Sequence, residues 1–64
     1  MVVEDKTGNL VNLAVGDRVR PRGPTRDNLT YGYVREISNC RAAVYWPEIR
    51  DLGFGWRPHD LVRL

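Results

Sequence analysis

The chain has 64 residues, 42% hydrophobic and 28% charged, with a net charge of +2, which is the size and composition of one small globular domain. One cysteine, Cys40, and one histidine, His59, exclude an internal disulfide and a Cys/His zinc site, and no apolar run is long enough for a membrane-spanning helix. A core of this size supplies only about 3–5 kcal/mol, so stability has to come from economical packing, with weak self-association as a possible aid.

Four prolines and six glycines divide the chain into pieces too short for an amphipathic helix and suited to short strands with tight connections. Val2 to Glu4 and Leu10 to Leu13 flank "DKTGN", where Gly8-Asn9 turns a small hairpin or leaves a loose arm; residues 1–14 are therefore expected to be an N-terminal arm or an added hairpin. "VGDRVRPR" follows. The turn at Val15-Gly16-Asp17 leads into a strand with Val19 inward and Arg18, Arg20 and Arg22 outward, by the two-residue period of a pleated chain. Pro21 lacks an N–H, so this strand ends at an edge or leaves the sheet there. "GPTRDNLT" reads as a loop anchored only by Leu29.

"YGYVREIS" is the next strand, in which Gly32 permits close backbone approach. Val34 and Ile37 stand three apart, which calls for a bulge or strong twist. After a Ser38-Asn39 turn, "CRAAVYW" puts Ala42, Val44 and Trp46 on one face and Ala43 and Tyr45 on the other. "EIRDLG" is a turn or distorted strand, and "FGWR" is a strand that places Phe54 and Trp56 on one face. Pro58 opens a single helical turn, and "LVRL" closes the chain as the last strand. The expected architecture is all-β: a small, strongly bent five-stranded antiparallel barrel over residues 15–64, with one helical turn before the last strand.

The frame Gly16-x-Arg18-Val19, Gly32-x-Val34-x-x-Ile37, Val44-x-Trp46 and Asp60-Leu61-x-x-Leu64 resembles the Src-homology-like (SH3-like) small barrels. Its pattern is most similar to Mind-bomb type repeats and more loosely to KOW and Tudor domains. It departs from the repeats in "WPEIRDLG" after the tryptophan and in "TRDNLTY" before the second strand. What the resemblance implies is a binding module, with peptide, protein or nucleic-acid ligands in different relatives; the shared positions are mainly turn glycines and core residues, so the frame reports a fold more than a function.

The charge is unevenly placed. Residues 1–14 sum to −1, residues 15–35 to +3 and residues 36–64 to zero, and nine of the ten cations are arginine. Alternate strand residues lie about 6.6 Å apart, a spacing that suits phosphates along a nucleic-acid strand or the acidic groups of an extended peptide. Equally, the stripe serves as a solvated face balanced by Asp17, Asp27 or Glu36. Tyrosine and tryptophan beside arginine is the composition of a binding hot spot, and also of rings that shield a thin core. The candidate ligand-binding residues are Arg18, Arg20, Arg22, Tyr31, Tyr33, Tyr45, Trp56 and Arg57. No catalytic residue, metal or cofactor is expected: His59 beside Asp60 suits a surface turn, and Cys40 beside Arg41 suits a small residue at a strand start. The expected function is a non-enzymatic module that binds an extended or acidic protein segment, with weak nucleic-acid binding or docking as a small structural subunit as the alternatives. The start, "MVVEDKTGNLVNL", lacks a signal-peptide pattern, so a cytoplasmic monomer or weak homo-oligomer is expected.

Overall fold

Asp5 organises the first hairpin. Its Oδ1 accepts hydrogen bonds from the Thr7 N–H at 2.9 Å, the Thr7 hydroxyl at 2.6 Å and the Asn9 N–H at 3.0 Å. Gly8 takes φ +88°, which a side chain would resist, and the chain reverses. In the computed structural model, which describes residues 1–64, strands β1 (Val2–Asp5) and β2 (Leu10–Asn12) pair antiparallel across this turn. Then come β3 (Arg18–Pro21), β4 (Gly32–Ser38), β5 (Arg41–Trp46), β6 (Asp51–Trp56), a one-turn 3-10 helix (Pro58–Asp60) and β7 (Leu61–Arg63). No helix is long and apolar enough to cross a membrane.

The protein is all-β with a single helical turn, but the expectation of a closed five-stranded barrel is corrected on both counts. The seven strands form one open sheet in the order β2-β1-β7-β3-β4-β5-β6. The three-residue strand β7 pairs antiparallel with β3 on one side and parallel with β1 on the other. Both of its edges are therefore occupied, and β6 is left at the rim with β5 as its only neighbour.

Strand parity sorts the side chains. Val19, Val34, Val44, Trp46 and Leu61 are fully enclosed, and Val3, Leu13 and Ala42 complete the core. Arg18 and Arg20 flank Val19 on the exposed side, as the alternation requires. Two irregularities break the period. Between Val34 and Glu36 the register on β5 shifts, so Arg35 is the extra residue, at the slip expected from the Val34–Ile37 spacing. On β6 the register shifts between Gly53, opposite Val44, and Trp56, opposite Ala42, with Gly55 at φ +77°.

This second bulge overturns the expectation that Phe54 and Trp56 share a face. Phe54 stands on the outer face and is 75% exposed, whereas Trp56 turns inward and packs on Trp46, ring centroids 5.0 Å apart. The β4–β5 turn is also one residue later than expected: Asn39 and Cys40 both have positive φ, the backbone of a tight two-residue hairpin, and β5 starts at Arg41.

Candidate interaction surface

Register assembles a row of side chains across four strands. Arg18 on β3 faces Tyr33 on β4, Tyr33 faces Tyr45 on β5, and Tyr45 faces Leu52 on β6. Directly opposed residues project to the same side of a sheet, here the outer side, because their neighbours Val19, Val34 and Val44 fill the core. Tyr33 is 37% exposed and Leu52 40%. Tyr31, just before β4, meets Tyr33 edge-on with centroids 5.8 Å apart and planes at 88°. Phe54, next to Gly53 on the outer side, extends the row along the rim.

Two guanidinium groups bracket these rings. Arg18 lies over Tyr31 at 4.6 Å and Arg35 over Tyr45 at 5.0 Å from the ring centroids. At such exposed positions a cation–π contact contributes about 0.5–1 kcal/mol. Each cation lies over a ring, and none of the ion pairs or side-chain hydrogen bonds within the chain uses either guanidinium. Their N–H edges remain open to a carboxylate, for which the planar fork is shaped.

Tyr31 is held in place from a distance. Glu48, in the β5–β6 turn, accepts from the Thr30 N–H at 2.7 Å, the Thr30 hydroxyl at 2.8 Å and the Tyr31 N–H at 3.4 Å. The donated hydrogen bonds from Thr30 hold the Glu48 carboxyl below the usual carboxylate range. The loop before Tyr31 is tied by Thr25, which caps the Leu29 N–H at 2.8 Å, while Leu29 packs against the core.

Of the eight residues singled out in the sequence, Arg18, Tyr31, Tyr33 and Tyr45 come together in this patch. The other four do not. Arg22 forms an ion pair with Glu4 at 2.9 Å and donates through Nε to the His59 carbonyl. Arg20 is exposed and donates to the Pro21 carbonyl at 3.1 Å. Arg57 precedes the helical turn, where its N–H donates to Asp60 Oδ2 at 3.1 Å. Trp56 lies on the opposite side of the sheet, walling a shallow cavity of about 270 Å³ with Pro21, Arg22, Pro24, Thr25 and His59.

Three members of the patch were not among the sequence candidates: Arg35, Leu52 and Phe54. The 34–37 spacing marked the bulge that turns Arg35 outward, but not the face its neighbours take; the bulge that separates Phe54 from Trp56 was not expected, and its only local signal is Gly55. Nothing local marks Glu48 as the anchor of Tyr31. Elsewhere, His59 Nε2 and Asp60 Oδ1 stand 3.5 Å apart in solvent, Cys40 is exposed, and no group of three metal-ligating side chains converges. Comparison with family models, with curated proteins and with solved structures finds no match.

Proposed function

We propose that the chain is a non-enzymatic interaction module that binds an extended, acidic segment of another protein on its outer sheet face. One observation carries the reading: Tyr31, Tyr33, Tyr45 and Leu52 form a continuous, half-exposed strip, with Arg18 over Tyr31 and Arg35 over Tyr45. Rings give contact area at low entropic cost, and the two stacked guanidiniums are pre-set to receive carboxylates. The strand order β7-β3-β4-β5-β6, with a helical turn leading into β7, supports grouping residues 15–64 with Src-homology-like domains, here with an open sheet and an added N-terminal hairpin. A free, exposed Cys40 accords with a reducing, cytoplasmic setting.

Nucleic acid fits this surface less well. A phosphate-tracking stripe needs Arg18, Arg20 and Arg22 together, and Arg22 is already neutralised by Glu4. Amide-shift titration separates the readings, with an array of extended Glu/Asp-rich peptides in one arm and random single- and double-stranded oligonucleotides in the other. Peptides are expected to move the amides of Tyr31, Tyr33, Tyr45 and Leu52, at moderate as well as low salt. Tyr33→Ala and Tyr45→Ala are each expected to weaken that binding by about tenfold or more, the loss typical of hot-spot truncation, while the fold stays intact. If oligonucleotides shift the same amides with a steep salt dependence and peptides do not, the protein-binding assignment is wrong.

A further inference from the structure

The rim strand β6 carries an unused pairing edge, and its chemistry matches that edge to itself. Leu52 donates its N–H to Oδ1 of the preceding residue, Asp51, at 2.8 Å, which marks this amide as lying on the open side of the strand. In an antiparallel ladder the main-chain groups alternate between the two sides, so those of Gly53 serve β5 opposite Val44, and those of Leu52 and Phe54 face outward. The same two residues carry the exposed apolar side chains of the rim, 40% exposed for Leu52 and 75% for Phe54, both on the outer face.

We infer that β6 pairs antiparallel with β6 of a second copy of this chain, about a two-fold axis at Gly53. Parity fixes the register. Only residues that share a face and direct their main-chain groups outward can exchange ladder hydrogen bonds. Leu52 therefore faces Phe54 of the second copy, Phe54 faces its Leu52, and the two Gly53 residues meet at the axis. Each crossing pair sets an aliphatic side chain against an aromatic one, a favourable combination across strands. The alternative register, with Leu52 opposite itself, pairs Phe54 with Arg50 and leaves the rings uncovered.

Charge permits the contact. Glu48, Arg50, Asp51 and Arg57 around the rim sum to zero, and the antiparallel arrangement brings the Asp51 end of one strand to the Arg57 end of the other. The bulge at Gly55 stops the regular edge after Phe54, so the pairing is short and the dimer reversible. Because the axis is perpendicular to the sheet, both tyrosine strips face the same way, one on each side of the Leu52–Phe54 contacts, and two ligand segments are presented together.

Sedimentation across a wide concentration range is expected to show a monomer–dimer equilibrium that Phe54→Lys combined with Leu52→Lys abolishes. Both side chains are exposed, so this variant should keep the fold. Register is read by disulfide trapping in a Cys40→Ser background. A mixture of Leu52→Cys and Phe54→Cys chains is expected to cross-link as a heterodimer, because opposed residues fall within disulfide reach. Either chain alone is expected to cross-link poorly, since its two cysteines are offset along the strands. A monomer at every concentration, a dimer unaffected by the double lysine variant, or self-linking of Phe54→Cys as efficient as the mixture would overturn the inference. Leu52 belongs to both surfaces, so binding of acidic peptides is read separately, on the unsubstituted chain, from the amides of Tyr31 and Tyr33, which lie away from the rim.

Discussion

Two aromatic clusters lie back to back across the sheet, and they are built on opposite principles. On the inner side Trp46 is wholly enclosed, with Trp56 tilted against it. Two glycines make its place. A Cβ on Gly32 would stand 2.6 Å from the Tyr45 carbonyl oxygen and 2.7 Å from Trp46 Cε3, and one on Gly53 would stand 2.9 Å from Trp46 Nε1. On the outer side the tyrosines are only half covered, by one another and by arginine, with no comparable dependence on a missing side chain. The inner cluster stabilises by being closed to solvent; the outer one is available to a ligand because it is not. In so small a chain, strand parity and the bulge at Gly55 decide which ring does which.

The comparison breaks most sharply at Gly32. Gly32→Ala forces a methyl group against main-chain oxygen and a core indole, neither of which can swing away. Overpacking of this kind costs about 1–3 kcal/mol, a large part of the roughly 3–5 kcal/mol that such a core supplies. The variant is expected to melt well below the parent by circular dichroism, whereas Tyr33→Ala, opposite Tyr45 on the other face, is expected to unfold close to the parent temperature. Similar losses for the two would mean that the outer rings are as structural as the inner ones, and the division of labour would fail.

The inner cluster was the more legible of the two. "AVYW" places Trp46 with Val44 on one face and Tyr45 on the other, and "RVR" encloses Val19, because an unbroken strand has only one period. The reading failed where the period breaks or where contacts are remote. "FGWR" reads as a regular strand, but the positive φ of Gly55 shifts it by one residue and sends Phe54 to the opposite face. The strand count fell short because β1 joins β7 in parallel, a pairing between the two ends of the chain that leaves no local turn signal. Asp17, Asp27 and Glu36 were the expected counterions of the arginine stripe, but Glu4, brought close by that same parallel pairing, takes Arg22.

That ion pair offers a smaller test, this time within the stripe. Arg22 belongs to the fold, through Glu4 and His59, and Arg18 belongs to the outer patch, through Tyr31. Glu4→Gln removes an ion pair whose side chains are 42% and 38% exposed, so the loss lies toward the low end of the 0.2–1 kcal/mol typical of such pairs, after screening. At about 4–8 °C per kcal/mol for a domain of this size, the melting temperature is expected to fall by about 1–2 °C with peptide binding unchanged. Arg18→Gln is expected to do the reverse, weakening binding more than it lowers the melting temperature. If Glu4→Gln instead gains affinity for oligonucleotides, the freed Arg22 completes a phosphate-tracking stripe and the two arginines are not functionally distinct.

The smallest effect concerns how Tyr31 is positioned, and it is read by pH. Glu48 and Asp5 are both held below the usual carboxylate range, Glu48 by hydrogen bonds from Thr30 and Asp5 chiefly by the Thr7 hydroxyl. A depressed folded-state pKa means that the unfolded chain takes up its proton first as pH falls. The stabilisation is therefore complete above the unfolded carboxylate pKa and is lost as pH drops through and below that range. Both groups are at the surface, so each contribution is small, but their local consequences differ. Protonating Glu48 releases Thr30 and Tyr31, and the Tyr31 amide shift should follow its titration. Protonating Asp5 loosens a hairpin turn remote from the tyrosines and should leave that amide still. In Glu48→Gln the low-pH movement of Tyr31 is expected to vanish, while in Asp5→Asn it persists. The same movement in both variants would show that the β5–β6 turn does not set the position of the ring that Arg18 covers.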